Sequence, residues 1–150
     1  MAFFSYQKGE FTVSTDPSKL DAAAIHAYLT RAYWSEGIPR HIVATALANS
    51  LCFGLYHGGA QIGLARVVTD RATYAYLCDV YVLEEFRGRR LGVLLMECVM
   101  SHPDLRGLRR FSLATRDAHN LYRKFGFAEL KKPQSQMEIV KPDIYSKASC

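Results

Sequence analysis

From Leu91 to Met100 almost every residue is apolar. Leu91, Leu94, Leu95, Cys98 and Val99 recur at i, i+3, i+4, i+7 and i+8, the stripe of a helix. Val93, Met96 and Met100 make the opposite side apolar as well, so this helix has to be covered on more than one side. The Tyr- and Val-rich stretch Thr73–Leu83 just before it reads as a strand. A buried helix following a strand confines the chain to layered architectures in which helices pack on a sheet.

The remaining elements fit that frame. Phe11–Thr15 alternates and reads as a strand. Asp16-Pro17 offers a helix start, and Ile25, Tyr28, Leu29 and Ala32 give Leu20–Tyr33 a helical stripe ended by Gly37. Pro39 opens a second helix to about Asn49. Leu51–Tyr56 and Gln61–Val68 flank His57-Gly58-Gly59-Ala60, and two adjacent glycines between apolar runs predict a hairpin. Asp70-Arg71 turns the chain into the next strand. His102-Pro103 ends the buried helix. Arg109–Thr115 reads as a strand and Ala118–Phe125 as a short helix, with Asp117 as a cap at its start and Gly126 as its left-handed C-cap. Ser135–Val140 reads as a last strand, and the polar residues 142–150 as a loose tail. The order is α/β or α+β with a mixed sheet.

With 150 residues, 49% hydrophobic and 22% charged, the chain is expected to form one domain over 1–150 with a substantial core. The net charge of +5 suits an anionic ligand without choosing among nucleotide, nucleic acid and membrane surface. No aromatic–basic interleaving or reader motif accompanies the charge, so no nucleic-acid partner is expected. Cys52, Cys78, Cys98 and Cys150 form no Cys-x-x-Cys pair, and the histidines share no ligand spacing, so no metal is expected and the thiols read as reduced. Met1–Glu10 has no long apolar stretch and no run approaches a membrane span, which makes cytoplasmic the expected location and excludes a membrane partner.

Chemistry concentrates in the stretch from Asp79 to Gly92. A strand passes through the acidic turn Glu84-Glu85 into a loop containing Arg87, Gly88, Arg89 and Arg90, then into the helix. A helix start presents unpaired N–H groups and the positive end of the macrodipole, a site for phosphate. The spacing is neither the glycine pattern of a dinucleotide fold nor a Walker loop. On spacing alone, a solvated turn with exposed arginines explains the loop equally well.

Two motifs go further. Arg87, Gly92 and their flanking strand and helix resemble the Arg/Gln-x-x-Gly-x-Gly/Ala motif of the GNAT superfamily of acetyltransferases. Ala118-His119-Asn120-Leu121-Tyr122-Arg123-Lys124-Phe125-Gly126-Phe127 is similar to the family's late helix, Ala-x-x-Leu-Tyr-x-x-x-Gly-Phe. The element order resembles the family fold over nearly the whole chain. The resemblance implies a mixed, mostly antiparallel sheet of about six or seven strands with about four helices. Two positions depart from it. Arg90 stands at the motif's first Gly, where a helical backbone is expected to tolerate it, and Thr115 stands where many members carry Asn.

The resemblance implies direct acetyl transfer from acetyl-CoA to a primary amine of a small molecule or peptide. It implies that the backbone of Tyr81 and Val82 pairs with the pantetheine arm and that Arg87, Gly88, Arg89, Arg90, Leu91, Gly92 and Val93 hold the pyrophosphate. One of those N–H groups could also stabilise an oxyanion. Thr115 and Asn120 complete the implied coenzyme contacts. Tyr122 matches the family's proton donor to the leaving thiolate, although its place on an apolar face also suits a core aromatic. Asp79 is a carboxylate among Leu77, Val80 and Val82, costly unless bonded or used. Its distance before Arg87 resembles that of the acidic residue several members place beside the amine, where it would accept a proton or orient the amine; a carboxylate bonded to a turn is the other reading. Tyr33 and Trp34, with Glu36, fall where the acceptor site borders, or pack on the core. A homodimer is compatible with the family, as is a non-catalytic module that only binds acetyl-CoA.

Overall fold

A computed structural model describes residues 2–146. The chain opens with β1 (Ser5–Lys8) and β2 (Phe11–Ser14), then a single 3-10 turn at Pro17–Lys19 begun by Asp16. Helices α1 (Ala22–Leu29) and α2 (Arg40–Ala48) follow. Next come β3 (Leu51–His57), β4 (Ala60–Thr69) and β5 (Tyr74–Val82), then α3 (Leu91–Ser101), β6 (Arg110–Leu113) and α4 (His119–Arg123). The six strands lie in chain order. Each pair is antiparallel except β5–β6, which is parallel and joined by α3 as the crossover. The mixed, mostly antiparallel sheet with four helices is the arrangement the motifs implied.

Helices cover both faces. On one, α3 buries Leu91, Leu95, Met96 and Val99 against Phe53, Leu55, Val67 and Leu77. On the other, α1 and α2 bury Ile25, Leu29 and Val43 against Cys52 and Leu64. Two-sided cover explains why β3 is buried from Leu51 through Leu55 without alternation.

Several expectations are corrected, and one strand is new. The first helix spans only Ala22–Leu29, not Leu20–Tyr33; Asp21 Oδ1 accepts from Ala24 N at its start, and the chain beyond Leu29 turns, with Ser35 Oγ donating to the Leu29 carbonyl. Strand β1 went unpredicted because Ser5–Lys8 is a mostly exposed edge with no apolar alternation. Asp117 does not cap α4: the helix has Ala118 as its N-cap with no side-chain cap, and the Thr115 hydroxyl accepts from Ala118 N at 3.1 Å just before it. The expected strand Ser135–Val140 is absent from the sheet: Ser135 closes a 3-10 turn from Pro133, and Met137 and Ile139 stand 96% and 94% exposed. Of the expected loose tail, residues 142–146 turn back and Tyr145 packs against the α1–α2 cluster; 147–150, with Cys150, lie outside the described residues. Cys52 and Cys98 are core residues and Cys78 is half-buried.

Candidate active site

The site begins with a defect in β5. Its alternation sends Ala75 and Leu77 into the α3-side core, and an unbroken strand would send residue 79 after them. Instead the register with β4 shifts: Leu64 faces Tyr81 and Arg66 faces Cys78, so Asp79 and Val80 together oppose the single Ala65. This is a β-bulge, and Asp79 takes the left-handed conformation it needs (φ 51°), which Asp tolerates better than most residues. Val80 inherits the inward position. The carboxylate turns to the other face, where Arg66 Nε donates to Oδ2 at 2.7 Å and Trp34 Nε1 donates to Oδ1 at 2.8 Å. Arg66 also donates to Ser50 Oγ at 3.0 Å. Burial alone would lower the Arg66 pKa; the Asp79 carboxylate more than offsets it, and the net direction is upward. The cost of a carboxylate in an apolar strand is thus met by two strong hydrogen bonds.

Beyond the bulge β5 loses a neighbour. Its pairing with β6 runs from Tyr74↔Arg110 to Leu77↔Leu113 and stops. From Cys78 to Val82 the edge facing β6 carries no strand, so the sheet splits into a cleft. Tyr81 is fixed beside it by the Tyr28 ring, stacked at 3.9 Å and 8°.

The start of α3 leads on from that edge. Gly88 adopts φ 82° with open space where a Cβ would lie. No side chain caps the helix, so the first-turn N–H groups of Leu91, Gly92 and Val93 have no intrahelical acceptor. Arg90, the N-cap, is left-handed (φ 59°), which corrects the expectation of a helical backbone there. A side chain at that φ costs about 1–2 kcal/mol, and glycine would add roughly 0.5–1 kcal/mol of chain entropy. Arg90→Gly is therefore expected to stabilise the fold slightly, by about 0.5 kcal/mol, which denaturant melts check. Arg89 and Arg90 border a hollow of about 360 Å³ shared with Lys8 of the β1–β2 hairpin. Arg87 turns away from it. Its Nε donates to the Val82 carbonyl at 3.1 Å and its Nη2 to the Tyr28 hydroxyl at 2.9 Å, so it braces the strand rather than facing a phosphate.

Helix α4 forms the other wall, and a Cβ on Gly92 would lie 3.6 Å from Leu121 Cδ2. The helix stops at Arg123 with Lys124 as its C-cap, earlier than the expected Phe125, and left-handed Gly126 (φ 96°) closes the turn beyond it. Tyr122 is 8% exposed, and its hydroxyl has no hydrogen-bond partner among the described residues. Burial pushes its pKa up to about 12, and Tyr33 and Asp117 add to the rise. Tyr33, half-exposed, lies under the Arg116 guanidinium at 3.7 Å, and its hydroxyl accepts from Arg116 N at 3.3 Å. Trp34 packs edge-on to Tyr33 at 5.0 Å. The structure thus gathers Asp79, Tyr81, Val82, Tyr33, Trp34 and Tyr122 around the cleft, with Gly88–Val93 at its end. Asn120 is exposed on α4 and accepts from Arg123, and the Thr115 hydroxyl is engaged by Ala118 N.

Sequence reasoning missed Arg66, Ser50, Tyr28 and Lys8. Arg66 left a signal, a lone charge within the apolar run Leu64–Val68 that needed an opposite charge on a neighbouring strand. Among the described residues, no group of three or more His, Cys, Asp or Glu could hold a metal ion, and no helix is long and apolar enough to cross a membrane.

This architecture is shared with known proteins. Residues 15–127 match the model of the acetyltransferase (GNAT) family. FG08082 of Gibberella zeae, by its name a candidate acetyltransferase, is 34% identical over 144 residues, covering 80% of each chain. A GNAT-family candidate acetyltransferase from Xanthomonas campestris pv. campestris superposes with a TM-score of 0.89 at 52% identity, covering 91% of this chain and 96% of the other. A candidate acetyltransferase from Clostridium acetobutylicum, in a structure with acetyl-CoA, has a TM-score of 0.62 at 13% identity over 93% and 95% of the chains, a likeness of fold alone. The chain belongs to the GNAT acetyltransferase family.

Proposed function

We propose that the chain transfers the acetyl group of acetyl-CoA directly to a primary amine of a small molecule or peptide. The observation that carries this is the cleft opened where β5 parts from β6 after Leu77, running into the uncapped start of α3. An extended, amide-bearing arm with an anionic end suits both halves. The free edge at Tyr81 and Val82 can pair with the arm as an added strand. The N–H groups of Leu91, Gly92 and Val93 can hold the pyrophosphate, with Lys8, Arg89 and Arg90 supplying charge. The fit rests on the first-turn N–H groups of α3, which no side chain caps, and on the open space at Gly88.

When bound, acetyl-CoA supplies an activated thioester; the nitrogen of a neutral amine forms the new C–N bond and releases its proton to water, while the sulfur leaves with the electron pair of the broken C–S bond. Tyr122 donates a hydrogen bond to that sulfur. A phenol held at about 12 remains protonated at working pH and stabilises charge developing on sulfur. Asp79 orients the amine: Arg66 already neutralises its charge, and each carboxylate oxygen keeps a lone pair beyond the bond it accepts. Trp34 and Tyr33 border the acceptor. On this reading Asp79→Asn lowers kcat about tenfold with a loss constant across pH; recovery at high pH, where more amine is already neutral, would make Asp79 the base instead. Thiol release from acetyl-CoA across a panel of amines tests the whole reading. Coenzyme binding without turnover on any amine would leave a binding module, and calorimetry that detects no coenzyme binding would overturn the site.

A further inference from the structure

The turn after α1 sets Tyr33 and Trp34 side by side at the cleft, with ring centroids 5.0 Å apart and planes at 87°. The two rings are tied to opposite walls. Trp34 Nε1 donates to Asp79 Oδ1 on the β5 bulge. The Tyr33 hydroxyl accepts from Arg116 N in the β6–α4 loop, 83 residues away in sequence. Tyr33 also lies near enough to Tyr122 to help raise its pKa, so the pair borders the place where the acetyl group would change hands. Both rings stay half-exposed. Aromatic faces left open beside such a place are surface for a small acceptor to cover.

Arg116 gives that surface a sign. Its guanidinium lies over the Tyr33 ring, 3.7 Å from the centroid, a contact that restrains the fork without using its N–H donors. Among the described residues those donors make no hydrogen bond. The one carboxylate oxygen within 4 Å, Asp117 Oδ2, is 3.9 Å away, too far to accept. Other arginines around the site and on α4 are held: Arg31 by Glu84, Arg66 by Asp79 and Arg123 by Glu129. Asp79 is in the opposite condition, already neutralised by Arg66, so it offers little to a second cation. A polyamine or a lysine-rich peptide would bring its further positive charge against Arg116. A carboxylate there would take a restrained fork with unused donors.

We infer that the acceptor is an amino acid, an amine that also carries a carboxylate, and that Arg116 binds the carboxylate while Tyr33 and Trp34 cover the apolar part. This rests on the transfer proposed above, whose acceptor it names. The bonds change as given there: nitrogen joins the acetyl carbon, the C–S bond breaks toward sulfur, and the amine proton leaves to water. Arg116 supplies a second anchor, and with Asp79 it fixes the direction from which the nitrogen approaches the thioester.

Trp34 is the single tryptophan of the chain, so its emission reports on this surface without any turnover. The test titrates phenylalanine and leucine into the full chain saturated with coenzyme A, each against the amine that lacks only the carboxylate, phenethylamine and 3-methylbutylamine. The amino acids are expected to change Trp34 emission saturably, with dissociation constants at least about tenfold lower than those of their partners. Arg116→Met should erase that preference, weakening the amino acids about tenfold and the plain amines by no more than about twofold. Arg116→Lys, which keeps the charge and loses the fork, should fall between. The Arg116 side chain is 64% exposed, so both variants should keep the far-UV spectrum of the parent. Thiol release from acetyl-CoA should follow the same order through KM. Equal affinity within each pair overturns the inference, and so does an emission that no amino acid changes. A loss in Arg116→Met shared equally by both members of a pair overturns it too, since Arg116 would then only shape the loop. Calorimetry in which Arg116→Met loses coenzyme A would move Arg116 to the coenzyme and overturn it as well. Turnover of phenethylamine in preference to phenylalanine would sink this inference and leave the transfer standing, whereas a parent chain that binds no coenzyme A would sink both.

Discussion

Replacing Tyr122 by Phe is expected to lower kcat by about 10²–10³-fold, within the range of positioned proton donors, while the dissociation constant for acetyl-CoA stays within about twofold. The substitution deletes one oxygen and keeps the ring, which packs edge-on to Phe127 at 6.1 Å within the α3-side core. The hydroxyl has no partner among the described residues to lose, so stability should barely change. Coenzyme affinity should come from the Tyr81–Val82 edge and the α3 start, neither of which the hydroxyl touches. The pH profile adds an independent check. Because burial lifts the phenol to about 12, the donor stays protonated up to about pH 11, and the wild-type rate should not fall as pH passes the ordinary tyrosine value near 10. An unchanged kcat in the Phe variant would return Tyr122 to the core, and a parallel loss of coenzyme affinity would mean that the helix had moved.

What could be read from the residues was local. The apolar stripe of α3, the glycine hairpin between β3 and β4, the left-handed turn at Gly126 after α4 and the Arg/Gly loop each depend on neighbours within about one turn of chain. The two motifs then identified the family because they combine spacing with order. What escaped depended on contacts distant in sequence. Asp79 was visible as a carboxylate in an apolar strand, but the bulge that turns it to the opposite face arises from register with β4, and its partners Arg66 and Trp34 lie 13 and 45 residues away. Arg87 matched a phosphate-loop position, yet its guanidinium reaches back to Val82 and across to Tyr28, a use that appears only once α1 lies over β5. Arg90 illustrates the opposite error. The glycine of the motif marks a left-handed backbone, and the chain keeps that backbone even with arginine in the position. The Ser135–Val140 expectation failed instructively: strand propensity describes a surface suited to a sheet, yet the segment opens with a 3-10 turn and joins no ladder, leaving Met137 and Ile139 exposed.

The interaction between Arg66 and Asp79 provides the largest expected stability effect. Their side chains are 18% and 9% exposed, so removing one partner strands the other charge in a poorly solvated place. Arg66→Met is expected to destabilise the fold by about 3–5 kcal/mol. Much of that is the penalty of the unpaired carboxylate rather than the worth of the pair, and this makes a sharper expectation. Adding Asp79→Asn to Arg66→Met should recover about 2 kcal/mol of the loss, because Asn carries no charge and still accepts from Trp34. Denaturant melts of the two single variants and the double variant close the cycle. The pair also holds Asp79 at φ 51°, so its loss lets the bulge relax and shifts the Tyr81–Val82 edge. Coenzyme affinity in Arg66→Met should fall about tenfold, even though Arg66 lies on β4 and belongs to neither motif. A single variant within about 1 kcal/mol of wild type, with full coenzyme affinity, would mean that the bulge is dictated by Gly63, where a Cβ would fall 2.6 Å from the Tyr81 carbonyl oxygen, and that the charges merely decorate it.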